Sequence, residues 1–148
     1  MIVTKGDLWT FQPPNGDKHL RVITTNGFVK TNGELVMGRG VAQQAKRKYP
    51  HLPKIFGELV NRHGNHVHIL DEYQLASFPV KPNTWWENAD INLIKQSALE
   101  LRELTINSRW DYVIMPLVGC GNGKLDWKDV RPVLEAVFPE AMYFVVTI

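Results

Sequence analysis

The sequence is short of several features at once, and each shortage excludes something. It holds one cysteine, Cys120, in 148 residues, which rules out an internal disulfide and fits a reducing compartment. No apolar run approaches the ~20 residues of a membrane-spanning helix, and no charged-then-apolar leader opens the chain. The chain is therefore read as soluble and cytoplasmic, with no membrane partner. Net charge is also scarce. The formal balance is only +2, which permits a nucleic-acid partner without demanding one. No repeat, low-complexity tract or long linker divides the sequence, so one domain over 1–148 and a monomer are expected. The spaced Gly-x-Gly-x-x-Gly fingerprint and the Gly-Lys-Ser/Thr phosphate loop are both missing.

What remains is ordinary globular material, 44% hydrophobic and 22% charged. Short apolar runs rich in β-branched residues alternate with helical periods, the pattern of an α/β domain. Candidate strands are Met1–Thr4, Leu20–Thr24, His66–Leu70, Gln74–Phe78, Tyr112–Leu117 and Met142–Thr147. Tyr112–Leu117 and Met142–Thr147 lack polar alternation and should be central, whereas His66–Leu70 alternates and should be peripheral. Three helices are marked by apolar stripes: Val41 to Tyr49, stopped by Pro50; Ile91 to Leu101, behind the caps Asn88 or Asp90; and Val130 to Val137. Pro132 sits too deep for a helix starting at Trp127, so a single turn at Asp126–Lys128 followed by a helix from Asp129 is expected. Together these elements predict a three-layer α/β/α sandwich around a mixed, mostly parallel sheet of about six strands.

Two glycine loops carry the chemistry. The first runs Thr24-Thr25-Asn26-Gly27, makes a polar excursion, and returns as Met37-Gly38-Arg39-Gly40-Val41-Ala42. It follows a strand and opens a helix, whose N-terminus offers free N–H groups and partial positive charge to an anion. The second is Val118-Gly119-Cys120-Gly121-Asn122-Gly123, again between a strand and a helix. Its alternate glycines can form an anion-holding nest. A lone glycine loop is explained as well by a tight turn, but two in matching positions suggest the two sides of a diphosphate.

These segments resemble the macrodomain family over nearly the whole chain. Lys5-Gly6-Asp7-Leu8 is similar to the family's Gly-Asp-Ile/Leu segment, Gly38-Arg39-Gly40-Val41-Ala42 to its Gly-Gly-Gly-Val-Ala loop, and Gly119–Gly123 to its second phosphate loop. The resemblance implies that Asp7, with Leu8 beside it, meets adenine and that Asn26 meets the distal ribose. Met37, Gly38, Gly40 and Val41 would then face Gly119, Cys120, Gly121, Asn122 and Gly123 across the phosphates. Within the family, Phe78-Pro79-Val80-Lys81 followed by Trp85 or Trp86, and Gly119-Cys120-Gly121-Asn122-Gly123 followed by Leu125-Asp126-Trp127, resemble the DNA ADP-ribosyl glycohydrolase antitoxins. The related protein-directed glycohydrolase shares the lysine but carries an aspartate where this sequence has Gly123. The excursion Phe28–Val36 is longer than its counterpart in the antitoxins.

The implied function is ADP-ribose binding, with hydrolytic removal of ADP-ribose from a nucleic-acid or protein target, DNA included. Lys81 and Asn26 are the expected catalytic pair. A phosphatase acting on ADP-ribose 1″-phosphate and a non-catalytic reader would use the same pocket. Lys81 could act as a partly desolvated amine, with Glu87 or Asp126 handling protons, although Asp126 also fits a helix cap. Trp85 and Trp86 lie together in a polar loop where at most one is expected in the core; the other could stack on a base or shield the site. His63, His66 and His68 lack the carboxylate or cysteine that would complete a metal set, so neither metal nor cofactor is expected. Cys120 has no histidine nearby in sequence and is read as structural.

Overall fold

A computed structural model of the protein describes residues 1–147. Among them, six strands form one sheet: β1 (Ile2–Lys5), β2 (His19–Asn26), β3 (Ile69–Leu70), β4 (Leu75–Lys81), β5 (Tyr112–Met115) and β6 (Tyr143–Thr147). Their spatial order is β1-β6-β5-β2-β4-β3. Every pairing is parallel except β3 with β4, so the mixed, mostly parallel sheet is as expected. β5 and β6 lie inside it, while the segment around His66–Leu70 supplies only the short antiparallel edge strand.

Side chains of alternate parity along the strands feed two cores. Leu20, Val22, Ala76, Phe78, Val113 and Val145 pack under α3 (Ile91–Thr105) and α4 (Trp127–Val137). On the other face Ile23 and Leu75 pack with Ala42, Ala45, Leu52 and Phe56 of α1 (Gly40–Lys48) and α2 (Leu52–His63). Leu8, Ile114 and Val146 extend that second face beneath the segment after β1. Three layers result.

Three expectations need correction. The apolar stripes mark three helices and omit α2, which follows directly on Pro50. Pro53 occupies the first turn of α2, where its missing N–H costs no helical bond. The split proposed around Pro132 is also absent. One helix runs Trp127–Val137, capped by Asp126 Oδ1, which accepts from Lys128 N at 3.0 Å. Pro132 is tolerated because it faces solvent, where water can satisfy the carbonyl that its missing N–H leaves free. Finally, β5 ends at Met115 rather than Leu117, since Pro116 turns the chain away from the ladder.

Candidate active site

At the carboxyl ends of β2, β4 and β5 the two glycine loops enclose a cavity of about 410 Å³, within the range of small-molecule sites. Its place follows the rule for parallel sheets, in which ligands sit beyond the strand carboxyl ends. Thr24 to Asn26 form one wall, Met37 to Ala42 a second, Val80, Lys81 and Trp85 a third, and Pro116 to Gly123 the fourth, omitting Val118 and Cys120.

Sheet register brings the expected catalytic pair together. Asn26 lies opposite Lys81 in the β2–β4 ladder, immediately after an irregularity between Thr25 and Asn26. Such a bulge re-aims the side chain that follows it. The Asn26 amide braces the excursion: its Nδ2 donates to Val36 O at 3.0 Å and its Oδ1 accepts from Phe28 N at 2.9 Å. One N–H and one lone pair remain for a ligand.

Lys81 ends β4 rather than following it, and is only 8% exposed. Its Nζ donates to Trp85 O at 2.9 Å. Burial pushes its pKa below the ordinary lysine value, the charges of Arg39 and Lys124 push the same way, and Glu87 opposes them. A larger neutral-amine fraction near neutral pH is the consequence, which is what a nucleophilic lysine needs.

The second glycine loop is partly tied and partly free. Cys120 N donates to Leu117 O, Lys124 N to Gly121 O and Leu125 N to Gly119 O. The N–H groups of Gly121, Asn122 and Gly123 have no acceptor among the described residues. Three consecutive free donors beside a cavity are able to hold an anion. Opposite them, α1 begins without a side-chain cap and without an acidic residue in its first turn, leaving its first N–H groups open to an anion.

Asp7 and Leu8 lie outside this lining. The Asp7 carboxylate accepts from Trp9 N at 2.8 Å, and Leu8 is buried beside Val41, itself a wall residue. Arg21 fixes that segment by donating to Leu8 O at 2.8 Å and Phe11 O at 2.7 Å. Cys120 also faces away, its Sγ donating to Val118 O at 3.4 Å. Burial, with Asp126 adding to it, pushes the thiol pKa up, so a thiolate is disfavoured. Glu87 is held by the Thr84 hydroxyl. His66 pairs with Glu100 at 2.9 Å, and among the described residues no cluster suits a metal ion.

Two contributors were not singled out in the sequence. Asn65 Nδ2 donates to the carbonyls of Lys81 at 3.2 Å and Pro82 at 3.3 Å, pinning the backbone that carries the amine. No motif surrounds it. Only the fold brings the turn after α2 against the end of β4. Arg39 was likewise not singled out, yet its guanidinium lies 5.4 Å over the Trp85 ring.

No family model matches the chain. Over 118 residues, 71% of the chain, it is 32% identical to the DNA ADP-ribosyl glycohydrolases of Mycobacterium tuberculosis and Mycobacterium bovis. It spans about a third of those proteins, 32% of their length. Among solved structures it resembles the macrodomain of Mycobacterium tuberculosis DarG (TM-score 0.72, 25% identity), covering 99% of this chain and 98% of that one. The macrodomain of Thermus aquaticus DarG shares the fold (TM-score 0.76, 22% identity, 99% and 97% covered). So does Thermosipho africanus DarTG, solved in complex with ADP-ribose (TM-score 0.70, 17% identity, 88% and 38% covered).

Proposed function

The chain belongs to the macrodomain family, and on that premise we propose that its cavity binds ADP-ribose and hydrolyses the glycosidic bond joining ADP-ribose to a DNA target in the cytoplasm. The diphosphate lies between the nest at Gly121–Gly123 and the N-terminus of α1. The distal ribose then falls between Asn26 and Lys81, with Asp7 and Leu8 toward the adenine end. The Lys81 amine adds to C1″ as the bond to the target base breaks, and the base leaves with a proton. Water then displaces the amine, regenerating lysine and leaving a hydroxyl on C1″.

The observation that carries this reading is the buried, pKa-lowered Lys81 opposite Asn26 at the edge of a cavity lined by free N–H groups. The names of the curated relatives and of the ADP-ribose complex point the same way. DNA is favoured over a glutamate target because a lysine–aspartate pair has no place here. A Cβ at Gly123 would lie 2.5 Å from Gly119 O and 2.7 Å from Ala89 Cβ, so a carboxylate at that position needs a rebuilt loop.

The test is one panel of substrates scored for released ADP-ribose: ADP-ribosylated single-stranded DNA, ADP-ribosylated protein and ADP-ribose 1″-phosphate. Release from DNA is expected. Tight ADP-ribose binding with no release from any of them would make the protein a reader instead.

A further inference from the structure

Two tryptophans stand in water at the mouth of the cavity. Trp86 is 60% exposed and Trp85 37%, and among the described residues neither joins an apolar cluster, unlike Trp9, Trp110 and Trp127. Leaving so much aromatic surface solvated forgoes the stabilisation that burial provides, so packing does not account for either ring.

The rings are nonetheless organised. Trp85 and Trp86 meet edge to face, with centroids 5.4 Å apart and planes at 88°. Phe28, from the excursion after β2, stands 6.1 Å from Trp86. An aromatic strip thus links the loop after β2 to the loop after β4. Trp85 forms part of the cavity wall and receives the Lys81 N–H bond, whereas Trp86 lies outside the lining. The charge around the amine is mainly positive: Arg39 and Lys124 both act on Lys81, against Glu87 alone.

A group attached at C1″ of a ligand held as above leaves the cavity past Trp85. It therefore meets the exposed Trp86 ring beside Trp85, whose own face carries the Arg39 guanidinium. A nucleobase followed by phosphates matches both features, and bases stack on aromatic side chains whatever their identity. We propose that Trp86, backed by Phe28, is the stacking platform for a base of single-stranded nucleic acid, with Arg39 and Lys124 taking neighbouring phosphates. The platform selects unpaired strands, because a duplex keeps its base faces stacked internally. It rests on the reading of the cavity as an ADP-ribose site, since that reading sets where the target emerges.

The experiment uses the full chain and a fluorescent, unmodified single-stranded oligonucleotide of about ten nucleotides, a length suited to single-strand sites, read by anisotropy. Trp86→Ala should weaken this binding by about tenfold, the effect of losing one stacked base, and Trp86→Phe should largely restore it. The matching duplex should bind more weakly than the single strand, and salt should weaken both. Calorimetry with free ADP-ribose should give the same affinity for Trp86→Ala as for the parent. With ADP-ribosylated oligonucleotide, the variant should raise KM about tenfold and leave kcat unchanged. Unaltered oligonucleotide affinity in Trp86→Ala would overturn the proposal. So would equal binding of duplex and single strand, or an equal loss toward an ADP-ribosylated peptide, which would make the strip a protein-docking face. Should the parent fail to bind ADP-ribose while oligonucleotide affinity still depends on Trp86, the platform stands and the cavity reading falls.

Discussion

The glycines of the two loops look alike in sequence but fall into two kinds, packed and open, and the difference separates what the fold needs from what a ligand needs. In the second loop, Gly119 has φ +76°, and a Cβ there would lie 2.6 Å from Ile94 Cδ1. Gly123 would place its Cβ 2.5 Å from Gly119 O. The left-handed backbone requires glycine at 119, and packing against backbone requires it at 123. Gly121, between them, has no atom of the described residues within 4 Å of a Cβ position, and the same is true of Gly38 in the first loop. Nothing among the described residues asks for glycine at either place. Both line the cavity, so the space they leave open is space for an occupant. In the first loop Gly40, at φ +56°, has a conformational reason to be glycine, and Gly27 a packing one, since a Cβ there would lie 2.4 Å from Pro82 O.

Substitutions can break this division, and the largest effect is expected where packing is the reason. Gly123→Asp should lower stability by more than about 3 kcal/mol, the upper range for overpacking, measured by denaturant unfolding. A variant that folds like the parent and gains hydrolysis of ADP-ribosylated glutamate would show that the loop can host a lysine–aspartate pair after all. Gly121→Glu should do the opposite. Its melting temperature should stay within about 2 °C of the parent's, as for a surface change, while ADP-ribose affinity falls at least ~100-fold, through a carboxylate filling the nest and repelling the diphosphate. A normal affinity in a normally folded variant would reduce the second loop to a turn.

A smaller effect is expected behind the site, where no ligand reaches. Asn65→Ala removes the two bonds that hold the Lys81 and Pro82 carbonyls. Turnover should fall about tenfold, as for a displaced catalytic group, while ADP-ribose affinity holds, and Asn65→Gln should recover part of the loss. Equal losses of turnover and binding would make Asn65 a support for the whole pocket rather than a positioning residue for Lys81.

The contrast between packed and open positions also explains what the sequence could and could not reveal. Alternation and apolar runs exposed the central strands β5 and β6, because strands covered on both faces need continuous hydrophobicity. The helix α2 was hidden because proline looks the same at a helix start as at a stop, and only the packing of Leu52 and Phe56 against Leu35 distinguishes the two. Lys81 and both glycine loops were legible as motifs. The free N–H groups of Gly121 to Gly123 were not, since every residue type there carries a backbone donor and only the fold decides which find acceptors. Asn65 and Arg39 escaped for the same reason: their partners lie far away in sequence, on other elements.

Lys81 holds these features together, and its ionisation gives the most direct measurement. The quantity is the single-turnover rate of ADP-ribose release from ADP-ribosylated single-stranded DNA as a function of pH, for the parent and for Lys81→Ala, with ADP-ribose affinity measured alongside. Burial disfavours the ammonium form, so the neutral amine gains population as pH rises, from a midpoint below the ordinary lysine range. The parental rate should therefore climb through one ionisation and level off. Lys81→Ala should be about 100-fold slower and lose that ionisation, with ADP-ribose affinity little changed. A Lys81→Ala variant that hydrolyses at the parental rate with the same pH profile would contradict the assignment of the reaction to this amine.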